Sequence, residues 1–277
     1  FSGKHIQEIL RDEDHLKSKL DSYRYRESQE QLSLRVGQAF QNNVHALIQA
    51  PTGTGKTLGY LLPSVLFAKT KSKPVMISTG TKALQNQAMS KDIPLVHKVL
   101  GLSKEQLKVV RLIGSKNHFC QLLFRNEQTD KDSMLDLRDF DQQFTDAYFE
   151  MLFFSNERQH DYSKIITAEN LPFILKKKIS HFADKEKELR VDYKACTGHK
   201  CPFKDNCTYF QGLRLSKEAD IIIGNHSLLL SWPRSIERPE YIVVDEAHKL
   251  ETEATQTYTS EVTKYDLENL AKNMSSM

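Results

Sequence analysis

No apolar run in this chain of 277 residues approaches the roughly 20 that a bilayer span requires, so the sequence offers no transmembrane helix. A secretory leader is also missing. Charge of one sign is scarce: 39 basic against 36 acidic side chains leave a net +3, so any basic surface must be local. Internal repeats and low-complexity tracts are absent. So is an initiator methionine, since Phe1 stands first and a longer polypeptide is expected. What is present, 39% hydrophobic and 27% charged residues, is the make-up of a soluble globular protein with a large buried core and one or two domains.

One stretch organises the rest. Ala50-Pro51-Thr52-Gly53-Thr54-Gly55-Lys56-Thr57 lies between the apolar run 43–49, which reads as a buried strand, and Leu58–Leu62, which opens a packed helix. A strand, a glycine-rich turn and a helix start make a phosphate cradle. The glycines let the backbone curl so that N–H groups from Thr52 to Lys56 point inward, and the helix N-terminus adds its positive end. Lys56 would reach the β- and γ-phosphates of ATP, and the Thr57 hydroxyl would hold Mg²⁺. Ala50 replaces the first glycine of the usual pattern, leaving A-x4-G-K-T.

Further strands are expected over 73–79, 108–114, 219–226 and 240–248. The last delivers Asp245 and Glu246 at its carboxyl end, where open α/β sheets bind ligands. Asp245 would hold Mg²⁺, and Glu246 would polarise the water that attacks the γ-phosphate. The small and polar residues 80–87 open a helix whose N–H groups suit a nucleic-acid phosphate, or simply a capped helix. Gln29, about twenty residues before the P-loop, has an amide able to pair with an adenine edge, or to sit on an ordinary polar face.

From 115 to 215 the alternation fades into charged helical segments, read as an insert. It is bounded by Cys120 and by the compact set Cys196-x4-Cys201-x5-Cys207. Four thiolates suit either an iron–sulfur cluster or Zn²⁺, and gaps of four and five are wider than zinc knuckles usually have. Phe119, Tyr193, Phe203, Tyr209 and Phe210 are candidates for base stacking, with packing around a metal site as the plainer role for each. Residues 1–24 read as an amphipathic lead-in helix or linker carrying Ile6, Ile9, Leu10, Leu16 and Leu20.

APTGTGKT, ISTGTKALQNQ, the four cysteines, ADIIIGNHSLLL and VVDEAH stand in the order seen in the XPD-like branch of superfamily 2 DNA helicases. The chain resembles that branch, and within it the bacterial DinG/YoaA type. The resemblance implies a RecA-like parallel sheet with helices on both faces, built from 25–114 and 216–250. A small helical iron–sulfur subdomain at 115–215 would interrupt it, and an arch-like helical region would begin at 251–277. It implies a [4Fe–4S] cluster on Cys120, Cys196, Cys201 and Cys207, and an adenine-reading role for Gln29. It also implies ATP-driven 5′→3′ movement on single-stranded DNA, with roles in repair and on forked or R-loop DNA. A monomer in the bacterial cytoplasm, at the nucleoid, is expected. No second motor domain is recognisable after the DEAH residues, so this piece is expected to bind nucleotide weakly, hydrolyse it very slowly and not unwind DNA. The alternative is a binding module for DNA or a protein partner with a vestigial ATPase.

Overall fold

A computed structural model of the chain describes residues 2–19, 23–131 and 139–259. The chain opens with α1 (Gly3–Arg11), α2 (Glu13–Lys19), α3 (Glu27–Asn42) and α4 (Lys56–Lys71). β1 (Val75–Thr79), α5 (Lys82–Gln87), α6 (Ile93–Leu100) and β2 (Val109–Arg111) follow. Between β2 and β3, largely in the stretch read as an insert, lie α7 (Gln121–Lys131), α8 (Phe140–Glu157), α9 (Phe173–Lys178), α10 (Phe182–Glu188) and α11 (Thr208–Lys217). β3 (Ile221–Asn225), α12 (His226–Leu230), β4 (Tyr241–Val244) and α13 (Leu250–Tyr258) complete the described chain.

The four strands form a parallel sheet in the order β2-β3-β1-β4, with Ile77 opposite Ile223 on one side and Val243 on the other. Side chains alternate across a strand, and the sheet uses both faces. Ile221 and Ile223 join Val75 and Ile77 in a core with Phe40, Leu61, Phe67 and Val96 from α3, α4 and α6. Ile222, between them, joins Val110 in a second core with Leu213 and Leu228 from α11 and α12. Both faces are therefore covered, which is why β1 and β3 read as continuous apolar runs. Removing one such fully buried side chain, as in Ile77→Ala, would cost about 2–5 kcal/mol.

Ile6, Leu10 and Leu16 are buried in the first of these cores, so the two N-terminal helices pack with the sheet domain. Leu20 lies outside the described residues. Arg11 ties α1 to α3 through a 2.7 Å ion pair with the buried Glu30. That guanidinium holds the Glu30 carboxyl down at about 2.

One expected strand is not formed. After α3 ends at Asn43, which takes the left-handed conformation, residues 44–50 run extended. No backbone hydrogen bond is made by 45–50 among the described residues, and Leu47 is 97% exposed. An apolar run becomes a strand only where a neighbouring edge offers partners. β4 stands last in the sheet, and residues 44–50 are not registered on it.

The insert has its own aromatic core. Phe149 lies 5.3 Å from Phe119 and 5.4 Å from Phe182, centroid to centroid, with Phe124, Phe153 and Leu189 around them. Phe149 and Phe153 thus pack inward, whereas Phe154 is exposed with Arg158 over its ring. Lys176, at the basic end of α9, pairs with the buried Glu186 and not with solvent alone. The insert meets the sheet through α11, whose Tyr209 and Leu213 join the second core, and through Glu169, which pairs with Arg111 at the end of β2 and with Lys82 at 3.2 Å in α5.

Candidate nucleotide site and cysteine cavity

The P-loop forms because Gly53 and Gly55 adopt φ of 81° and 76°, a region costly for any residue with a Cβ. Thr54 turns inward, and its hydroxyl donates to the Pro51 carbonyl at 2.7 Å. Lys56 then begins α4, so the loop's N–H groups and the helix's positive end share one place. Gln29 is buried and its amide donates to the Gly55 carbonyl at 2.9 Å. A Cβ on Gly55 would fall 2.2 Å from that amide nitrogen, so α3 braces the loop from behind.

Asp245 and Glu246 leave the carboxyl end of β4 as expected. The Asp245 amide donates to the Ser78 carbonyl at 2.8 Å, extending the sheet's pairing to the site. Tyr60, one turn beyond Lys56 in α4, donates its hydroxyl to Asp245 Oδ2 at 3.2 Å. Burial, and then the Asp245 charge, push the Tyr60 hydroxyl well above its usual range, so it stays a donor. This bond joins the P-loop helix to the acidic pair. Glu246 sits at φ 54°, an uncommon conformation for a residue with a side chain, of the sort found where geometry is imposed by a site. Its carboxylate pairs with Lys249 at 2.5 Å; that bond, aided by the charges of Lys249, His248 and Lys56, keeps it below the ordinary carboxylate range. The structure therefore brings together Gln29, Thr52–Thr57, Asp245 and Glu246 at one end of the sheet.

Sequence reading missed three residues there. Tyr60 had a signal, since it shares a helix face with Lys56 at i+4. Lys249 had one too, three residues after Glu246. His226 was read only as the end of a strand; it is fully buried, with Nδ1 2.7 Å from Ser78 Oγ.

The four cysteines all carry free thiols and all line one cavity of about 100 Å³. An antiparallel contact brings Cys120 there: its amide donates to the Leu189 carbonyl at 2.7 Å, and the Val191 amide to that of His118 at 2.9 Å. Cys207 caps α11, and the left-handed Gly198 turns the chain between Cys196 and Cys201. Burial pushes the Cys120 and Cys207 thiols up. Among the described residues, no three His, Cys, Asp or Glu side chains stand together as ligands of a single ion. The stacking candidates separate: Phe119 and Tyr209 are buried, Phe119, Phe203 and Phe210 line the cavity, and Tyr193 is exposed.

A P-loop braced from α3 stands beside an acid pair at the end of a parallel strand, an arrangement able to hold a phosphate and a divalent ion. Residues 30–142 match the DEAD/DEAH box helicases. Asp245–His248, the DEAH residues themselves, lie outside the helicase match. Over 90% of its length the chain is 29% identical to the 3′-5′ exonuclease DinG of Bacillus subtilis, covering 25% of that protein. Over 94% it is 27% identical to the ATP-dependent DNA helicase YoaA of Haemophilus influenzae, covering 38%. Over 90% it is 29% identical to the ATP-dependent helicase DinG of Mycobacterium tuberculosis, again covering 38%. The chain thus spans only a quarter to about two-fifths of the curated relatives it matches. Among its described residues, no helix is long and apolar enough to cross a membrane.

Proposed function

We propose that this chain is the first motor domain of an ATP-dependent DNA helicase moving 5′→3′ on single-stranded DNA. One observation carries the reading: the Tyr60–Asp245 bond holds the P-loop helix and the acidic pair together at the carboxyl end of the sheet. The residues fit Mg²⁺ and ATP. Thr57 and Asp245 would hold the ion, which when bound neutralises charge on the β- and γ-phosphate oxygens. Backbone N–H groups of 52–56 and the Lys56 ammonium would grip the phosphates. Glu246, freed from Lys249, would take a proton from the attacking water. Gln29 holds the loop from behind, and an adenine edge would meet its remaining amide oxygen.

Cys120, Cys196, Cys201 and Cys207 would hold a [4Fe–4S] cluster. In support of this, the four free thiols all line one cavity of about 100 Å³. Such a cluster, when bound, cross-links the ends of the insert. The insert would then stand where strands part, with Tyr193 presented to a base. Forked and R-loop DNA are the substrates this arrangement suits, in repair, by a monomer in the cytoplasm at the nucleoid.

The relatives extend well beyond the matched length, and a second motor domain would supply arginine fingers worth roughly 10³–10⁵ in rate. This chain alone should therefore turn over ATP very slowly and leave duplexes intact. The deciding experiment is DNA-stimulated ATP turnover by the protein that contains this domain, with Lys56→Ala and Glu246→Gln as controls. Loss of turnover in both supports the motor; turnover untouched by either substitution refutes the assigned chemistry and favours a binding module.

A further inference from the structure

His226 is fully buried, yet its Nε2 has no hydrogen-bond partner. A buried polar atom left alone is costly, of the order of 1–3 kcal/mol, and in a native site it needs a reason. Its surroundings supply one. A Cβ placed on Gly80 would lie 2.9 Å from Lys249 Cδ, 3.2 Å from Glu246 Oε2 and 3.6 Å from His226 Nε2. The imidazole, the carboxylate and the lysine stem therefore converge over one glycine that leaves them room. Ser78 Oγ fixes the other ring nitrogen at 2.7 Å, and Ser78 has no other side-chain partner. With the serine hydroxyl donating to Nδ1, the ring proton sits on Nε2, the tautomer favoured by the acidic residues Asp245 and Glu246 beside it.

We propose that His226 is a positioning residue for Glu246: its Nε2–H receives the carboxylate when Glu246 leaves Lys249. The carboxylate then has two seats. On Lys249 it is tied down and a poor base. On His226 it is oriented by a neutral donor, which leaves it free to accept the proton of the attacking water. Because the imidazole is set by Ser78, at the end of the strand that leads through Gly80 to the start of α5, the seat also reports the position of that helix. The inference rests on the ATPase reading and adds a residue to it.

The test uses single-turnover hydrolysis of ATP with this chain in excess, which resolves even slow rates, together with nucleotide affinity from a fluorescent ATP analogue. His226→Phe keeps the shape and removes the donor. It should slow hydrolysis by about 10- to 100-fold with affinity changed by less than about twofold, and His226→Gln, which restores an N–H, should recover most of the rate. A protected imidazole N–H resonance should also shift when Mg²⁺, ADP and beryllium fluoride are added, and the shift should vanish in Glu246→Gln. Wild-type hydrolysis in His226→Phe, or Gln no better than Phe, overturns the proposal. If His226→Phe fails to fold, the resonance in the wild-type chain decides, and its indifference to the nucleotide overturns it equally. Lys56→Ala separates the two claims: hydrolysis that survives it sinks the ATPase reading itself, whereas hydrolysis that Lys56→Ala removes and His226→Phe spares sinks this inference alone.

Discussion

The nucleotide end of the molecule and its cysteine end place reactive side chains by opposite means. At the first, strand ends and a helix start deliver them, and hydrogen bonds fasten them to one another: Gln29 to Gly55, Tyr60 to Asp245, Lys249 to Glu246. At the second, three of the four thiols lie between Tyr193 and α11, in a stretch whose only regular piece is a single 3-10 turn, and an aromatic cluster of the insert's own stands behind them. The two share one device, a buried histidine bonded through Nδ1 to a hydroxyl: His226 to Ser78 and His118 to Thr208 at 2.9 Å. Burial pushes the His118 imidazole down to about 4, so it stays neutral beside the thiols. The contrast teaches that the nucleotide end is organised by its own polar network, while the cysteine end depends on packing.

The sharpest way to sharpen that contrast is amide exchange. β1 is paired on both sides and wholly buried, whereas residues 45–50, which lead into the P-loop, make no backbone hydrogen bond among the described residues. Amides of 75–79 should exchange at least about 1,000-fold more slowly than those of 45–50, measured by mass spectrometry at the peptide level. Equal protection would mean that the P-loop run finds a sheet partner in solution. Next comes Phe149→Ala. That ring is fully buried at the centre of the insert's core, and its loss should destabilise the insert by about 3–5 kcal/mol. Limited proteolysis should cut within the insert first, with nucleotide affinity within about twofold of wild type. Simultaneous loss of nucleotide binding would show the two ends to be one cooperative unit, joined more tightly than the Glu169 pairs and the packing of α11 on the sheet imply.

How much of this was legible beforehand follows the same division. The sheet was readable because β1 and β3 are buried on both faces and so carry unbroken apolar runs flanked by polar strand ends. The acidic pair and the glycine-rich turn were readable as local geometry, the one at the end of an apolar run and the other at a helix start. The run 43–49 has the same apolar look but not the same fate, since pairing depends on a neighbouring edge that no local pattern encodes. Phe119 and Tyr209 take the plainer packing role and not the stacking one, a choice that composition cannot make: Phe119 fills the insert's core and Tyr209 the one shared with β3. Tyr60 acts across space on a residue brought close by the fold, whereas Lys249 pairs with a residue three positions before it. The Lys249 partner could be guessed from that spacing, but the Asp245 contact of Tyr60, 185 residues away in sequence, could not.

Smaller effects test the polar network itself. Tyr60→Phe removes one buried hydroxyl and its bond to Asp245, which should cost about 1 kcal/mol of stability and weaken Mg²⁺-dependent nucleotide binding more than Mg²⁺-free binding. An equal loss with and without the ion would mean that the bond has no part in presenting Asp245. The smallest effect expected concerns Glu30, whose carboxyl is held at about 2 by the Arg11 guanidinium and aided by Gln7. A depressed folded value means that the unfolded chain binds this proton first, near the ordinary glutamate value of about 4.3. The contribution is therefore whole above that value and drains away as pH falls from there towards about 2. Glu30→Gln carries no such proton, so the gap between wild type and variant in urea midpoint should be widest near pH 6 and close on the way to pH 2.5. Arg11 is largely exposed, so salt should shrink the gap at every pH. A gap that stayed constant with pH would assign the pair's worth to packing of α1 on α3 and leave no share to charge.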